Sequence, residues 1–487
     1  MKKSVIIIGS GFSSLSASCY LAHYGYAVTI FEKNNSIGGR ARQLKKNGFT
    51  FDIGPTWYWM PDVFERFFTD FEKKPASYYS LEKLNPAYSV YFGKDDFISI
   101  EDTLEKIKVA FEKEEAGSAK KLQSFIDKAQ SNYDIAIKDL VYNPGISPLE
   151  LVTPATILKL NQFFSTIKKD VRKNFKNERL IKILEFPVLF LGAKPSDTPS
   201  FYSFMNYADF GLGTFHPKKG MFQVVLAMES LAKELGVTIK TNTPIEKIIV
   251  EKDKAIGIFA NGKKHLADIV VSGADYHHTE SLLDKRFRQY SEDYWNKRTF
   301  APSSLLFYVG FDKKLINVNH HTLFFDVDFD VHAEAIYDHP KWPENPLFYA
   351  SFPSKTDENA APKGQEAGIF LIPLAPGLKD TPELREAYFD KIMSRFEILT
   401  SQNAKKHVIF KESFCVKDFM ADYNSYKGNA YGLANTLTQT AFLRPKLKSK
   451  KVKNLFFTGQ LTVPGPGVPP SLISGKLVAD LVTKYHD

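Results

Sequence analysis

The chain has 487 residues, 44% apolar and 24% charged, an ordinary balance for a soluble globular protein with a substantial core and two or three domains. Its net charge of +9 comes without a nucleic-acid-binding module or aromatic platforms interleaved with arginine, which argues against nucleic acid and leaves an anionic membrane surface as the partner that charge suits. Two cysteines, Cys19 and Cys415, make neither a metal cluster nor a redox pair and fit a reducing, cytoplasmic compartment.

Val5 to Ile8 is a short continuous apolar run, the pattern of a strand buried on both faces. Gly9, Ser10 and Gly11 follow as a tight turn, and Phe12, Ser13 and the residues to Tyr24 carry apolar side chains at helical spacing. Gly25 stops that helix, Ala27 to Phe31 forms a second strand, and Glu32 closes it about twenty residues beyond the glycines. This is the order of a dinucleotide-binding unit: phosphates on a helix N-terminus and an acid accepting from a ribose hydroxyl. Ser14 stands where a third glycine is usual. Glu32 argues against a 2′-phosphate, because the charges would repel. By itself the motif suits NAD or FAD.

Lys2 and Lys3 before the isoleucines do not make a secretory signal, because Gly9 interrupts too short an apolar run. No stretch approaches the roughly 20 apolar residues of a membrane span. Gly48 to Thr56 reads as a strand entering a glycine turn, and Trp57, Tyr58 and Trp59 after it read either as a core plug or as a wall facing a ring system. Leu104 to Leu140 is helical and charged. Leu158 to Phe190 sets Lys168, Lys169, Arg172, Lys173, Lys176, Arg179 and Lys182 among leucines and phenylalanines; that pattern fits a helix lying in a membrane interface, or a surface helix with a solvated basic face.

A helix is expected from Met221 to Leu235, then short strands at 237–240, 245–250, 255–260 and 266–271. Asn261-Gly262 is a hairpin signal, and the meander is expected to interrupt the dinucleotide fold without extending its parallel sheet. Residues 291–419 mix strands (304–311, 368–372) with a helix at 382–399. Leu455 to Gln460 reads as strand then turn, and the proline- and glycine-rich stretch 464–470 opens a final helix. The 41 Phe and 23 Tyr read equally as an aromatic core or as a long apolar cavity.

Two signatures at opposite ends, the glycine motif ending in Gly38-Gly39-Arg40 and the terminal strand–glycine–helix, resemble the FAD-dependent oxidoreductases of the amine-oxidase and carotenoid-desaturase type. Within that superfamily the chain is most similar to bacterial phytoene desaturases, through Phe51-Asp52-Ile53-Gly54-Pro55, Ala301-Pro302-Ser303-Ser304, His320-His321-Thr322, Leu437-Thr438-Gln439-Thr440-Ala441 and Pro464-Gly465-Pro466-Gly467-Val468-Pro469. The resemblance implies an α/β fold in which an FAD-binding Rossmann-like domain (1–75, 212–290, 425–487) is interleaved with an α+β substrate domain (76–211, 291–424). A helical, membrane-associating part is placed near 104–190.

The resemblance also implies which residues hold the cofactor. These are Gly9, Ser10, Gly11, Phe12, Ser13, Gly39 and Arg40 at the pyrophosphate, and Glu32 and Lys33 toward the adenosine, with Ile245 near the adenine. Gly54, Pro55, Thr56, Gly459, Gln460, Gly467, Val468 and Pro469 surround the isoalloxazine, where the final helix aims its positive end. The implied reaction removes two hydrogens across a carbon–carbon bond of a long isoprenoid, phytoene toward lycopene, as a hydride to flavin N5 and a proton to a base or water. A later hydroxylated or monocyclic carotenoid oxidised at its 3,4 bond, or an amine, is the alternative substrate. No metal and no Ser-His-Asp geometry is expected, no catalytic residue is assigned, and His320-His321 reads as a structural pair or channel lining. Quinone or oxygen is the implied acceptor, and the inner face of the cell membrane the implied location.

Overall fold

The computed structural model describes residues 2–486; Met1 and Asp487, the outermost residues of the expected domain bounds, lie outside them. Three distant stretches of chain build one five-stranded parallel sheet, ordered 455–457, 269–272, β1 (Ser4–Ile8), β2 (Ala27–Phe31), 238–240. Successive β1 side chains point to opposite faces, and both faces are covered. Val5 and Ile7 join the core beneath helix α1 (Phe12–His23) and the terminal helix Val468–His486. Ile6 and Ile8 join a second core under the antiparallel strands Ile245–Glu251, Lys254–Ala260 and Lys263–Leu266.

The expected meander is therefore corrected. It has three strands, and the segments flanking it, Thr238–Lys240 and Ile269–Ser272, do extend the parallel sheet. Period-2 patterning cannot tell a short edge strand of one sheet from the next hairpin of another. Small residues let the first and last helices touch. A Cβ on Gly475 would lie 2.5 Å from Ser16 Cβ and 2.6 Å from Ser13 O, and Ser16 Oγ donates to Leu472 O at 2.7 Å.

A seven-stranded sheet forms the other half, ordered 408–414, 303–311, 366–374, 348–351, 321–324, 88–93, 96–100, antiparallel except where 321–324 meets 88–93. Helix Pro382–Leu399 packs on it through a phenylalanine-rich core that includes Phe307, Phe324, Phe370 and Phe396. Eight phenylalanines are buried in that core, and more lie in the core around α1.

The segment 158–190 is not one basic amphipathic helix. It breaks into short helices, Pro154–Leu158, Leu160–Phe163, Ile167–Asn174 and Glu178–Glu185, with Thr153, Thr166 and Asn177 capping three of the starts. Four of its basic groups are engaged, Lys168 with Asp330, Arg172 with Glu178 and Glu185, Arg179 with Asp96 and Glu114, and Lys182 on the carbonyls of Phe325 and Val327, whereas Lys169, Lys173 and Lys176 are exposed. Ile167, Val171, Phe175, Leu180 and Leu184 face inward. The exposed apolar side chains lie earlier, at Ile146, Leu149, Val152, Ile157, Leu158, Leu160 and Phe164. Among the described residues, no helix is long and apolar enough to cross a membrane.

Candidate active site

The turn after β1 and the turn after strand 455–457 come together at the N-terminal end of α1. Gly11 is the N-cap of α1, no side chain caps the helix, and a Cβ on Gly11 would meet nothing within 4 Å. Helix N-termini bind anions through such uncapped N–H groups. Gly39 lies against this turn, its Cβ position 3.1 Å from Gly11 Cα, and Gly459 lies beside Ser13.

Arg40 is half-buried here, with its Nε shielded from solvent. Its Nη2 donates to Ser425 Oγ (3.1 Å) and Asn429 O (3.4 Å), while its Nε has no hydrogen-bond partner. Burial lowers the guanidinium pKa, opposed by the Asp275 carboxylate, whose own pKa burial raises. The Gln460 amide, oriented to satisfy its neighbours' donors, puts its oxygen at Arg40 Nη2 (3.1 Å) and Gly432 N (3.2 Å). A half-buried cation with a shielded, unused donor beside an uncapped helix start fits a diphosphate.

Glu32 is buried, and its carboxylate accepts from Ser10 N (2.9 Å), Ser10 Oγ (2.7 Å) and Asn34 N (2.8 Å). Lys33 Nζ donates to Ala421 O (2.6 Å) and Asn424 Oδ1 (3.2 Å), and Ile245 packs at the edge of the core that contains Phe31. Glu32 and Lys33 thus directly follow β2, and Ile245 lies against the core that contains Phe31.

Gly54 sits under Arg40; a Cβ there would lie 1.9 Å from the Arg40 carbonyl oxygen, so only glycine fits the packing. Gly54, Pro55 and Thr56, together with Gly467, Val468 and Pro469, form one end of an apolar cavity of about 550 Å3. Trp57, Trp59, Phe186, Leu189, Phe325 and Leu347 wall it, and it extends to Gly145, Leu151 and Phe163, next to the exposed apolar residues of 146–164. The Trp57-Tyr58-Trp59 run therefore divides: Tyr58 is core, stacked on Phe64 at 4.2 Å, whereas Trp57 and Trp59 face the cavity.

A buried polar cluster that sequence reading did not assemble adjoins this end. Tyr349 OH bridges Thr56 Oγ1 (2.8 Å) and His321 Nδ1 (2.7 Å), and the His321 ring stacks on Trp57 at 4.0 Å. His320 Nδ1 meets Thr356 Oγ1 at 2.6 Å, and His216 Nε2 meets Asp357 Oδ2 at 3.3 Å. Burial drives the pKa of both His320 and His321 well below the usual histidine value. Asp357 is pulled down despite burial, by His216 and by Asn359. His216, His320, Asp357 and Thr56 line a second cavity of about 220 Å3 that also reaches Gln43 and Lys45. His320-His321 was visible as a pair in the sequence; Tyr349, Thr356 and Asp357 carried no signal there. Among the described residues no group of three or more His, Cys, Asp or Glu is placed to hold a metal.

Residues 12–483 match the family described as flavin containing amine oxidoreductase. A carotenoid 3,4-desaturase from Haloarcula japonica is 38% identical over 484 residues, covering 98% of this chain and 97% of that one. A 4,4′-diapophytoene desaturase (4,4′-diaponeurosporene-forming) from Staphylococcus haemolyticus is 31% identical over 492 residues, covering 98% of each. Among solved structures, an oxidoreductase from Methanosarcina mazei superposes with a TM-score of 0.63 at 16% identity, covering 98% of this chain and 100% of that one. A putrescine oxidase superposes at 0.61 and 12%, covering 99% of each. At those identities the structural likeness speaks for the fold alone.

Proposed function

The chain belongs to the carotenoid desaturases of the flavin-containing amine oxidoreductase family, and from that premise we propose how its parts divide the work. It is an FAD-dependent oxidoreductase that introduces carbon–carbon double bonds into a long isoprenoid. The observation that carries the site assignment is continuity: one apolar cavity runs from Gly54–Thr56 and Gly467–Pro469 to Gly145, Leu151 and Phe163, whose neighbours along the chain carry the exposed apolar side chains.

The backbone of Gly9, Ser10, Gly11, Phe12 and Ser13, with Gly39 and Arg40, would hold the diphosphate. Glu32 would hold the ribose, Lys33 and Ile245 the adenine end, and Gly54 to Thr56, Gly459, Gln460 and Gly467 to Pro469 the isoalloxazine end. FAD, when bound, supplies a two-electron oxidant for an allylic carbon. The protein's task is positioning and exclusion of water, which the aromatic walls at Trp57, Trp59, Phe186 and Phe325 perform. The parallel sheet and its helices, drawn from 1–75, 212–290 and 425–487, form the cofactor half; 76–211 and 291–424 form the substrate half.

Phytoene, converted stepwise toward lycopene, is the first substrate reading. The 38% identity to a carotenoid 3,4-desaturase over nearly the whole chain favours a second, a later carotenoid oxidised at its 3,4 bond. The exposed rim at 146–164 supports loading from the inner face of the cell membrane, with quinone or oxygen as final acceptor. Expression in cells that accumulate phytoene, and separately in cells that accumulate hydroxylated carotenoids, followed by pigment chromatography, separates the substrates. A purified protein without flavin absorbance after FAD is supplied would overturn the whole reading.

A further inference from the structure

Removing two hydrogens across a carbon–carbon bond sends one out as a hydride, with the electron pair, to the flavin, and leaves one proton to reach water as the double bond forms. The apolar cavity cannot disperse that charge, because a bare proton acceptor is costly in such surroundings. We propose that Thr56, Tyr349, His321, His320 and His216 form a proton exit from the polyene cavity to Asp357 and the water of the second cavity. The proposal rests on the desaturase reading above.

Thr56 lines both cavities. Its hydroxyl begins an unbroken pair of short hydrogen bonds, 2.8 Å to Tyr349 OH and 2.7 Å on to His321 Nδ1. His321 Nε2, the other end of that imidazole, is buried and has no hydrogen-bond partner. The ring centroids of His321 and His320 are 4.5 Å apart, and those of His320 and His216 are 4.6 Å apart, so consecutive rings are in contact and the proton would pass along them by reorientation of the imidazoles, without an intervening water. His216 then meets Asp357. The second cavity is polar and far larger than the space one water needs. Burial keeps His320 and His321 neutral, and a neutral imidazole accepts a proton on one nitrogen while releasing one from the other. A cluster serving only to pack Trp57 would not need a buried, unpaired nitrogen, which packing normally avoids.

Two measurements decide it. In a single turnover of the FAD-loaded protein with its polyene, flavin bleaching and a pH-indicator dye are followed together. Wild type is expected to release the proton within about twofold of the bleaching rate. Tyr349→Phe keeps the ring and loses the bridge, and Asp357→Asn removes the far acceptor; in each, proton release is expected to lag bleaching by tenfold or more. Proton release that keeps pace in both variants overturns the relay. The second measurement needs neither flavin nor substrate: in protein labelled with nitrogen-15 at histidine, the His321 ring N–H signal is expected to be broadened away by exchange with water, and to sharpen in Tyr349→Phe. A sharp, slowly exchanging signal in wild type also overturns it. If no polyene bleaches the flavin, the desaturase reading fails on that result, whereas the exchange measurement still reports on the proton path.

Discussion

Replacing Glu32 by glutamine separates two roles that one carboxylate performs. The buried carboxylate accepts three hydrogen bonds, two from Ser10 and one from Asn34. A glutamine offers one acceptor oxygen. If it faces Ser10, the new NH2 group points at the Asn34 N–H, and one donor is left facing another. Losing one charge-assisted bond costs about 1.5–3 kcal/mol, and the two retained bonds weaken to neutral strength. Glu32→Gln is therefore expected to lower the stability of the FAD-free protein by about 2–4 kcal/mol, read by urea denaturation. If the same carboxylate also receives a ribose hydroxyl, FAD affinity falls by a further 1.5–3 kcal/mol, about 10- to 150-fold in Kd. Calorimetric titration with FAD, below the unfolding range, measures that term. A Kd within twofold of wild type would refute the ribose assignment, and an unchanged urea midpoint would refute the hydrogen-bond reasoning itself.

Gly475→Ala places a methyl group against Ser16 and the Ser13 carbonyl. It is expected to cost about 1–3 kcal/mol in urea denaturation and to weaken FAD binding, since α1 must move. Asp209 is buried with one oxygen accepting from Tyr88 OH at 2.7 Å and the other unpaired, and burial raises its pKa to about 8. The unfolded chain loses that proton near the ordinary carboxylate value while the folded chain keeps it, so its contribution is complete below pH 4 and declines as pH rises toward 8, by up to about 1.4 kcal/mol per unit. Asp209→Asn is expected to flatten the fall in stability between pH 5 and 7. Replacing Leu158, Leu160 and Phe164 with serine is expected to reduce flotation with phospholipid vesicles severalfold, whereas neutralising Lys168 and Arg172, already paired with acids, leaves it nearly unchanged.

What the sequence made legible was local. Val5 to Glu32 could be read because strand, turn, helix and terminal acid follow one another, each specified by its neighbours. The closing segment near Gly459 and Pro469 was legible for the same reason, and only the resemblance linked it to the first. Pairings between distant residues were not legible. Nothing near Tyr349 signals that strand 348–351 delivers its hydroxyl between Thr56 and His321, contacts separated by 293 and 28 residues. Within the basic run at Lys168–Lys182 the ion pairs of Lys168 and Arg179 were not legible, because their acids, Asp96, Glu114 and Asp330, are brought in from elsewhere. Strand 238–240 was visible as a strand, but its neighbour β2 lies more than 200 residues earlier.

The parallel sheet has a consequence for the order of events during synthesis. Its first strand leaves the ribosome more than 440 residues ahead of the strand 455–457 and of the helix after it that packs on α1. At ordinary translation rates that interval is on the order of 20–90 s. Through it the sheet keeps an unpaired edge at 269–272, and the part of α1 that the terminal helix covers, around Ser13 and Ser16, stays open while helix Phe222–Glu234 already packs on its other side. The turn that sets Gly459 beside Ser13 is therefore completed only after the parallel sheet has waited through that interval.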